Sequence, residues 1–347
     1  MAATIHDVAK RAGVGIGTVS SVINNSRAVN EETRKRVMQA IAELDYTPHP
    51  AARQLSSGKT FNIGAIIPFF TRPAAVERLR GVMSVIAPSK YDFTLFSVET
   101  ADQRSEQLKD VPRRGRVDGL IIFSCPPTRR EARRILDSNI PTVLIDGYHS
   151  DLNCIYIDNV AGGYTATKHL ISLGHRRIGY LGDPIDDPIG FFVSRDRFRG
   201  YRQALDEAGI PFNPAYHREG AHSLESGREM ALSLLRQPKP PTALFAFSDT
   251  IAFGVMEAAK ELRLSIPEDV ALIGFDDIEL ARLYGLSTIR QQLFQTGVMG
   301  AEMLLNLIKN PGSEQLQIKL STELVVRHST AGNQNATSKK EVMPIHR

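Results

Sequence analysis

Two cysteines, Cys125 and Cys154, are all that this chain of 347 residues contains. They lie far apart and lack metal-ligand spacing, which excludes a structural zinc site and fits a reducing compartment. No run of about 18 apolar residues is available to span a bilayer. The opening MAATIHDVAKRAG lacks the apolar core of a signal peptide, so the chain is expected in the cytoplasm. Patterns that carry catalysis are missing as well. There is no Ser/His/Asp order, P-loop, nucleophile elbow or His-rich metal spacing, and the nine histidines are scattered. The carboxylate pairs Asp186-Asp187 and Asp276-Asp277 are adjacent in sequence, which points the two side chains apart in regular structure. Neither an enzyme nor a cofactor is expected.

What is present reads as an ordinary globular protein, 42% hydrophobic and 23% charged. At roughly 150 residues per domain, the length allows two or three domains. The net charge of +4 is unevenly placed: residues 1–60 hold eight Lys/Arg against five Asp/Glu. A basic patch favours a polyanionic partner, although charge alone fits a solvated face equally well.

Periodicity sharpens that choice. Ile5, Val8, Ala9 and Ala12 form one apolar stripe, and Thr4 with Asp7 has the arrangement of a capping box. Gly13 permits a left-handed turn. A second helix is expected from about Ile16 to Asn24, with Val19, Val22 and Ile23 inward. Asn30 then caps a third helix whose stripe is Val37, Ala40, Ile41 and Leu44. Three short helices with a glycine turn between the first two match the helix-turn-helix motif, whose second helix enters the DNA major groove. The glycines of Gly13-Val14-Gly15-Ile16-Gly17 imitate a dinucleotide loop, but such a loop follows a strand and this one follows a helix.

Beyond Asn62 short apolar strands alternate with helices. Strands are expected at Ile63–Pro68, Phe93–Val98, Gly119–Phe123, Thr142–Ile145, Cys154–Ile157, Ile178–Leu181, Ala243–Phe247 and Ala271–Phe275. Helices include Ala161–Leu173, Phe198–Ala208, Glu225–Leu235 and Ala252–Leu262. This alternation implies parallel sheets covered on both faces, in two lobes by length. Residues 332–347 are polar and aperiodic, as in a loose tail.

The segments TIHDVAKRAGV and TVSSVINNSRAVNEETRKRVMQAIAELDYTPHPAARQL resemble the head of a LacI/GalR-family transcriptional regulator. The resemblance runs without a gap from Thr4 to Leu55 and extends more thinly over nearly the whole chain. It implies an all-α helix-turn-helix head on an α/β, two-lobed, periplasmic-binding-protein-like sensor of Rossmann-like parallel sheets. The implied domains are a head over residues 1–47, a hinge over 48–61 and a sensor over 62–331. One lobe would comprise residues 62–161 and 292–322, the other 162–291 and 323–331, with crossovers near Gly162, Gln291 and Glu323. The tail lacks the leucine heptads that tetramerise some relatives.

By the same resemblance Ile16, Gly17 and Ser21 read bases, while Thr18 and Ser20 contact phosphates or support the helix. Thr4, Asn24, Arg27 and Tyr46 complete the head's expected DNA contacts, and Ala52 and Leu55 supply those of the hinge. Two departures stand out. Gly15 replaces the usual capping Ser, and the reading positions lack the Arg, Gln or Asn that make bidentate base contacts. Selectivity is therefore expected to rest on DNA shape and on the hinge. Ala51 to Leu55 is too short to be helical alone in water. The resemblance implies a helix formed when two subunits pair over the minor groove, with Leu55 wedged into a base step; a plain linker is the simpler reading.

Ligands of open α/β sheets bind at the carboxyl ends of strands. Asp146, Ser248, Asp249 and Asp276 all follow apolar strands, and Arg197 matches the family's effector-clamping arginine. Asp146 and Asp249 are equally well explained as helix caps. Phe69, Phe191 and His222 are further wall candidates, the two Phe being equally compatible with core. The expected protein is thus a homodimeric, nucleoid-associated regulator, in the first instance a repressor. It would bind a pseudo-palindromic double-stranded DNA operator under allosteric control by a small-molecule effector, by default a sugar or sugar derivative. The competing readings are a solute-binding protein without regulatory role and an enzyme with an accessory head.

Overall fold

The computed structural model describes residues 3–24, 29–46, 58–113 and 115–331. Arg27, Ala52, Leu55, the expected hinge helix and the tail lie outside the described residues.

The head is built from α1 (Ile5–Ala12), α2 (Ile16–Asn24) and α3 (Glu31–Glu43). The Asp7 amide donates to Thr4 Oγ1 at 3.4 Å and the Thr4 amide donates to Asp7 Oδ2 at 2.9 Å, closing the capping box. Gly13 ends α1 at φ 65°, a left-handed angle that is costly for a residue with a Cβ. Asn30 Oδ1 accepts the Thr33 amide at 2.7 Å and starts α3. Val8, Ala9, Ala12, Val19, Val22, Val37, Ala40 and Tyr46 fill a small core where the three helices meet.

The rest of the chain forms two six-stranded sheets among the described residues. The first contains β1 (Asn62–Pro68), β2 (Asp92–Val98), β3 (Gly119–Phe123), β4 (Thr142–Ile145), β5 (Asn153–Ile157) and β11 (Gln317–Leu320), ordered β11-β5-β4-β3-β1-β2. The second contains β6 (Ile178–Gly182), β7 (His217–Glu219), β8 (Ala243–Ala246), β9 (Ala271–Asp276), β10 (Ser287–Arg290) and β12 (Glu323–Val325), ordered β12-β10-β9-β8-β6-β7. Neighbouring strands are parallel except β10 and β12. The central strands are buried on both faces, as parallel sheets covered by helices require.

The chain leaves the first sheet after β5, and the helix Asn159–Ser172 already packs on the second. It returns after β10, when the helix Leu293–Lys309 packs against Pro73–Ile86, and it crosses last between β11 and β12. Asp118 fixes the chain as it enters the first lobe, accepting the Thr60 amide at 2.8 Å and the Phe61 amide at 2.9 Å.

Four short strands escape the sequence pattern: β7, β10, β11 and β12. β10 reads Ser-Thr-Ile-Arg, yet Ser287 and Thr288 are fully buried because their hydroxyls are bonded. The Ser287 hydroxyl meets that of Thr330 at 2.7 Å, and the Thr288 hydroxyl donates to Asp249 at 2.7 Å. A strand whose burial depends on polar partners far along the chain carries no apolar run to recognise. β11 and β12 lie at sheet edges and stay half exposed.

One close approach positions the site. In the helices Asn159–Ser172 and Val193–Glu207, Gly163 faces the Arg197 carbonyl and Gly200 faces the Val160 carbonyl, each without room for a Cβ. The two backbones therefore meet directly, and Arg197 is held at the crossing.

Candidate effector site and DNA-reading face

The strand ends carry unusual backbone. Phe69 follows β1 at φ 49°, Ser124 follows β3 at φ 50°, Asp146 follows β4 at φ 60°, and Asp276 closes β9 at φ 116°. Positive φ in residues with a Cβ is uncommon and gathers at functional sites. The turns at Ser124, Asp146 and Asp276 aim side chains from both lobes into one cleft, at the carboxyl ends of the strands where open α/β sheets bind ligands.

The cleft is lined by Pro68, Arg72, Arg78, Phe123, Ser124, Asp146, Phe191, Arg197, His222, Phe247, Ser248, Thr250, Asp276 and Gln291, among others. Arg197 is locked on every side. Its Nη1 donates to the Phe247 carbonyl, its Nε donates to Asn159 Oδ1 at 2.9 Å, and its Nη2 lies 3.3 Å from Asp276 Oδ1. The guanidinium sits 3.5 Å over the Phe275 ring. This planar group is suited to such stacking and to a bidentate contact. Burial pushes the Asp276 carboxyl above the usual range, while Arg197, Arg78 and His222 pull it back.

A second constellation faces it from the first lobe. Arg78 Nη2 lies 3.1 Å from Asp146 Oδ2 and donates to Gln291 Oε1 at 2.7 Å, and the Ser124 hydroxyl donates to Asp146 at 2.7 Å. A third crosses the cleft: Arg72 Nη1 of the first lobe meets Asp183 Oδ2 of the second at 2.9 Å. His222 stands beside them, with Nδ1 3.4 Å from Asp183 Oδ2 and Nε2 3.4 Å from the Ser248 hydroxyl.

Of the residues expected around an effector, Asp146, Phe191, Arg197, His222, Ser248 and Asp276 line this cavity. Phe69 does not. Its ring lies 3.9 Å beneath the Arg72 guanidinium and edge-on to Phe191 at 6.1 Å, so it supports the wall from outside. Asp249 also lies apart, fully buried, with one oxygen taken by Thr288 and the other by the Ile278 amide. It does not cap its helix either: Ser248 does, accepting the Ile251 amide at 3.4 Å.

Sequence reasoning missed Arg72, Arg78, Ser124, Asp183 and Gln291. Ser124 and Asp183 follow β3 and β6, so the strand-end rule would have reached them. Gln291 follows the unrecognised β10, while Arg72 and Arg78 look like surface residues of an amphipathic helix.

On the head, Ile16 is 41% exposed and Gly17 is exposed beside it, while Thr18, Ser20 and Ser21 are half-buried. Gly17, Thr18 and Ser21 line an open groove with Asn30, the cap of α3, and Thr33 in its first turn, giving α2 a shallow, hydroxyl-rich outer face. Thr4 is occupied by its cap, and Tyr46 packs into the head core at 9% exposure. Asn24 is the last residue of α2.

No helix among the described residues is long and apolar enough to cross a membrane. Residues 4–49 match the family model of bacterial regulatory proteins of the lacI family, and residues 167–330 match that of a periplasmic binding protein-like domain. The ribose operon repressor of Haemophilus influenzae is 37% identical over 331 residues, covering 94% of this chain and 98% of that protein. The HTH-type transcriptional repressor PurR of Actinobacillus pleuropneumoniae is 38% identical over 333 residues, covering 94% and 98%. Among solved structures, the lac repressor dimer bound to operator and the anti-inducer ONPF superposes with a TM-score of 0.80 at 28% identity, covering 95% of this chain and 99% of that one. A LacI family regulator from Enterococcus faecium with bound ribose gives a TM-score of 0.69 at 28% identity, covering 78% and 98%.

Proposed function

This chain belongs to the LacI family of bacterial regulatory proteins, and from that premise we propose that it is a transcriptional repressor whose hold on operator DNA is set by a sugar bound between its lobes. The observation that carries the proposal is the joining of two parts in one chain: a helix-turn-helix head, and a two-lobed sensor whose cleft at the strand ends is lined by Arg72, Arg78, Asp146, Arg197 and Asp276. A solute-binding protein has no use for the first, and a simple DNA-binding protein none for the second.

The mechanism follows from the geometry. Two heads of a homodimer reach two half-sites of a pseudo-palindromic operator in successive major grooves. Exposed Leu280, Leu283 and Tyr284 on the second lobe, and Val76, Met83 and Phe294 on the first, provide apolar surface for the pairing. The effector contacts both lobes at once, so its binding energy is spent on their relative position. Asp118 passes that position to the hinge through Thr60 and Phe61. By linkage, the factor by which the effector changes operator affinity is the factor by which operator changes effector affinity. Arg197 and Asp276 are the pair to which we assign the effector hydroxyls, with Asp146 and Ser124 facing them. A protein working on operator DNA acts at the nucleoid, where we place it. We read it as a regulator rather than an enzyme, as its relatives are repressors.

The experiment is an operator titration by fluorescence anisotropy with and without D-ribose, D-galactose, D-glucose and hypoxanthine. One of these is expected to shift operator affinity at least about fivefold, and Arg197→Ala should bind operator as before while losing the shift. Operator affinity indifferent to effectors that demonstrably bind the sensor would contradict the allosteric reading.

A further inference from the structure

The cleft contains three guanidinium groups, which at first sight make it a receptor for a phosphate or carboxylate. Each already has a carboxylate: Arg72 has Asp183 at 2.9 Å, Arg78 has Asp146 at 3.1 Å, and Arg197 has Asp276 at 3.3 Å. The charges cancel pair by pair. An anionic ligand would have to displace a buried carboxylate or be desolvated beside one, and like charges at close range in a buried site repel strongly.

The buried atoms left without a partner point the same way. Among the described residues they include Arg78 Nε, a donor, Asp183 Oδ1, an acceptor, and His222 Nδ1, a ring nitrogen that is one or the other according to its tautomer. A leftover donor and a leftover acceptor suit hydroxyl groups, which do both, and suit an anion poorly. Asp183 is only 3% exposed, so its charge is not diluted by water.

Resting on the allosteric reading above, we propose that the effector is an uncharged, hydroxyl-rich molecule, and that the cross-cleft pair Arg72–Asp183 is the specificity determinant that keeps phosphorylated sugars out. Arg72 is the pivotal cation because its place does not depend on Asp183 alone. Its guanidinium lies 3.9 Å over the Phe69 ring and 5.1 Å from that of Phe191. Removing the Asp183 charge therefore leaves Arg72 in the cavity wall with an unspent positive charge. The Asp183→Asn change should convert a neutral cavity into one that accepts anions.

The test uses the full-length protein and two probes, inorganic phosphate and D-ribose 5-phosphate. Thermal stability at constant ionic strength and calorimetric titration are the readouts. The wild type should show no phosphate-dependent stabilisation beyond that of Arg72→Ala, which controls for anions on the DNA-binding heads. Asp183→Asn should gain at least tenfold in affinity for D-ribose 5-phosphate, and Asp183→Asn with Arg72→Ala should lose the gain. Wild-type binding of either probe that Arg72→Ala abolishes overturns the proposal, whether or not Asp183→Asn folds. A folded Asp183→Asn that gains nothing also overturns it. Neither readout involves operator DNA, so a sensor that excludes anions while the operator ignores every effector would count against the allosteric reading alone.

Discussion

The Thr288 hydroxyl donates to the Asp249 carboxylate at 2.7 Å, in a layer directly behind the ligand cleft. The other oxygen of Asp249 accepts the Ile278 amide at 2.9 Å, so one buried side chain ties the helix Asp249–Glu261 to β10 and to the turn after β9. Burial and the nearby Asp276 push its carboxyl well above the usual range. Asp249→Ala leaves a buried hydroxyl and a buried amide unpaired, at about 1–3 kcal/mol each. Chemical denaturation should show a loss of about 2–6 kcal/mol. The folded fraction should still bind effector with near-wild-type affinity, because Asp249 is not part of the cavity wall. A variant of full stability that binds no effector would reverse that assignment.

The missing cap on α2 can be restored. Gly15 precedes α2, has open space where a Cβ would point, and offers only its carbonyl, which accepts the Thr18 amide at 2.9 Å. Gly15→Ser is expected to stabilise the head by about 0.2–0.5 kcal/mol through a side-chain cap, since glycine is itself a tolerable N-cap. Calorimetry of the full chain should show the head transition moving upward. No change, or a fall, would mean that the serine hydroxyl does not reach the Thr18 amide.

Operator reading should follow from the same face. Ile16 is exposed but apolar, and Gly17 has no side chain. Base substitutions beneath α2 should therefore cost less than changes to the central step of the operator, each mismatch lying within about 1–3 kcal/mol. Leu55→Ala should weaken operator binding sharply while leaving non-specific binding almost untouched. Electrophoretic mobility shifts on an operator library measure both, and equal losses on specific and random DNA would rule out the wedge.

The crossing of the helices Asn159–Ser172 and Val193–Glu207 should tolerate no side chain at Gly163. A Cβ there runs into the Arg197 carbonyl. Gly163→Val is expected to cost about 1–3 kcal/mol through overpacking. It should also weaken effector binding more than ten-fold by shifting Arg197, a displacement of about 1 Å at a positioned group being enough. Calorimetric titration beside a denaturation curve separates the two effects. Lost stability with unchanged affinity would show that the crossing does not position Arg197.

Three half-buried histidines make acid a weak point. Burial lowers the pKa of His169, His175 and His217 below their ordinary value of 6.5, with His175 adding to the effect at His169. The unfolded chain then binds protons that the folded chain resists. Their contribution to stability is complete above 6.5 and is lost as pH falls through the folded values. Asp249 and Asp276, raised by burial, act with the opposite sign, so the measurement must isolate one group. His169 bonds the Thr330 hydroxyl at 2.9 Å, and His169→Gln keeps a polar partner there without the titration. The stability advantage of wild type over His169→Gln should shrink between about pH 7.5 and pH 5.5. An advantage that is constant or grows would contradict the sign.

Much of this molecule was readable before its structure. The head was legible to the residue, from the Thr4–Asp7 box through the Gly13 turn to the Asn30 cap, because helix ends and stripes obey local rules that neighbouring residues enforce. The central strands β1, β3, β4, β6, β8 and β9 were legible because burial on both faces demands unbroken apolar runs. Arg197 was legible only through a resemblance, and Asp146 and Asp276 through the rule that ligands meet strand ends. Asp249 obeyed the same rule and still faces away, since a strand end does not say to which side its first polar residue turns.

The sequence by itself determined the kinds of part: a three-helix head with little hydrogen-bonding power on its reading helix, and an alternating α/β sensor. Those features follow from periodicity, capping and composition, which act over a few residues. Only the tertiary structure decided which charges neutralise one another. Arg72 and Asp183 stand on different lobes, and Arg78 reaches Asp146 and Gln291 across long stretches of chain. Pairing depends on distance in space, and that is fixed only when sheets, crossovers and the glycine-lined helix crossings are in place.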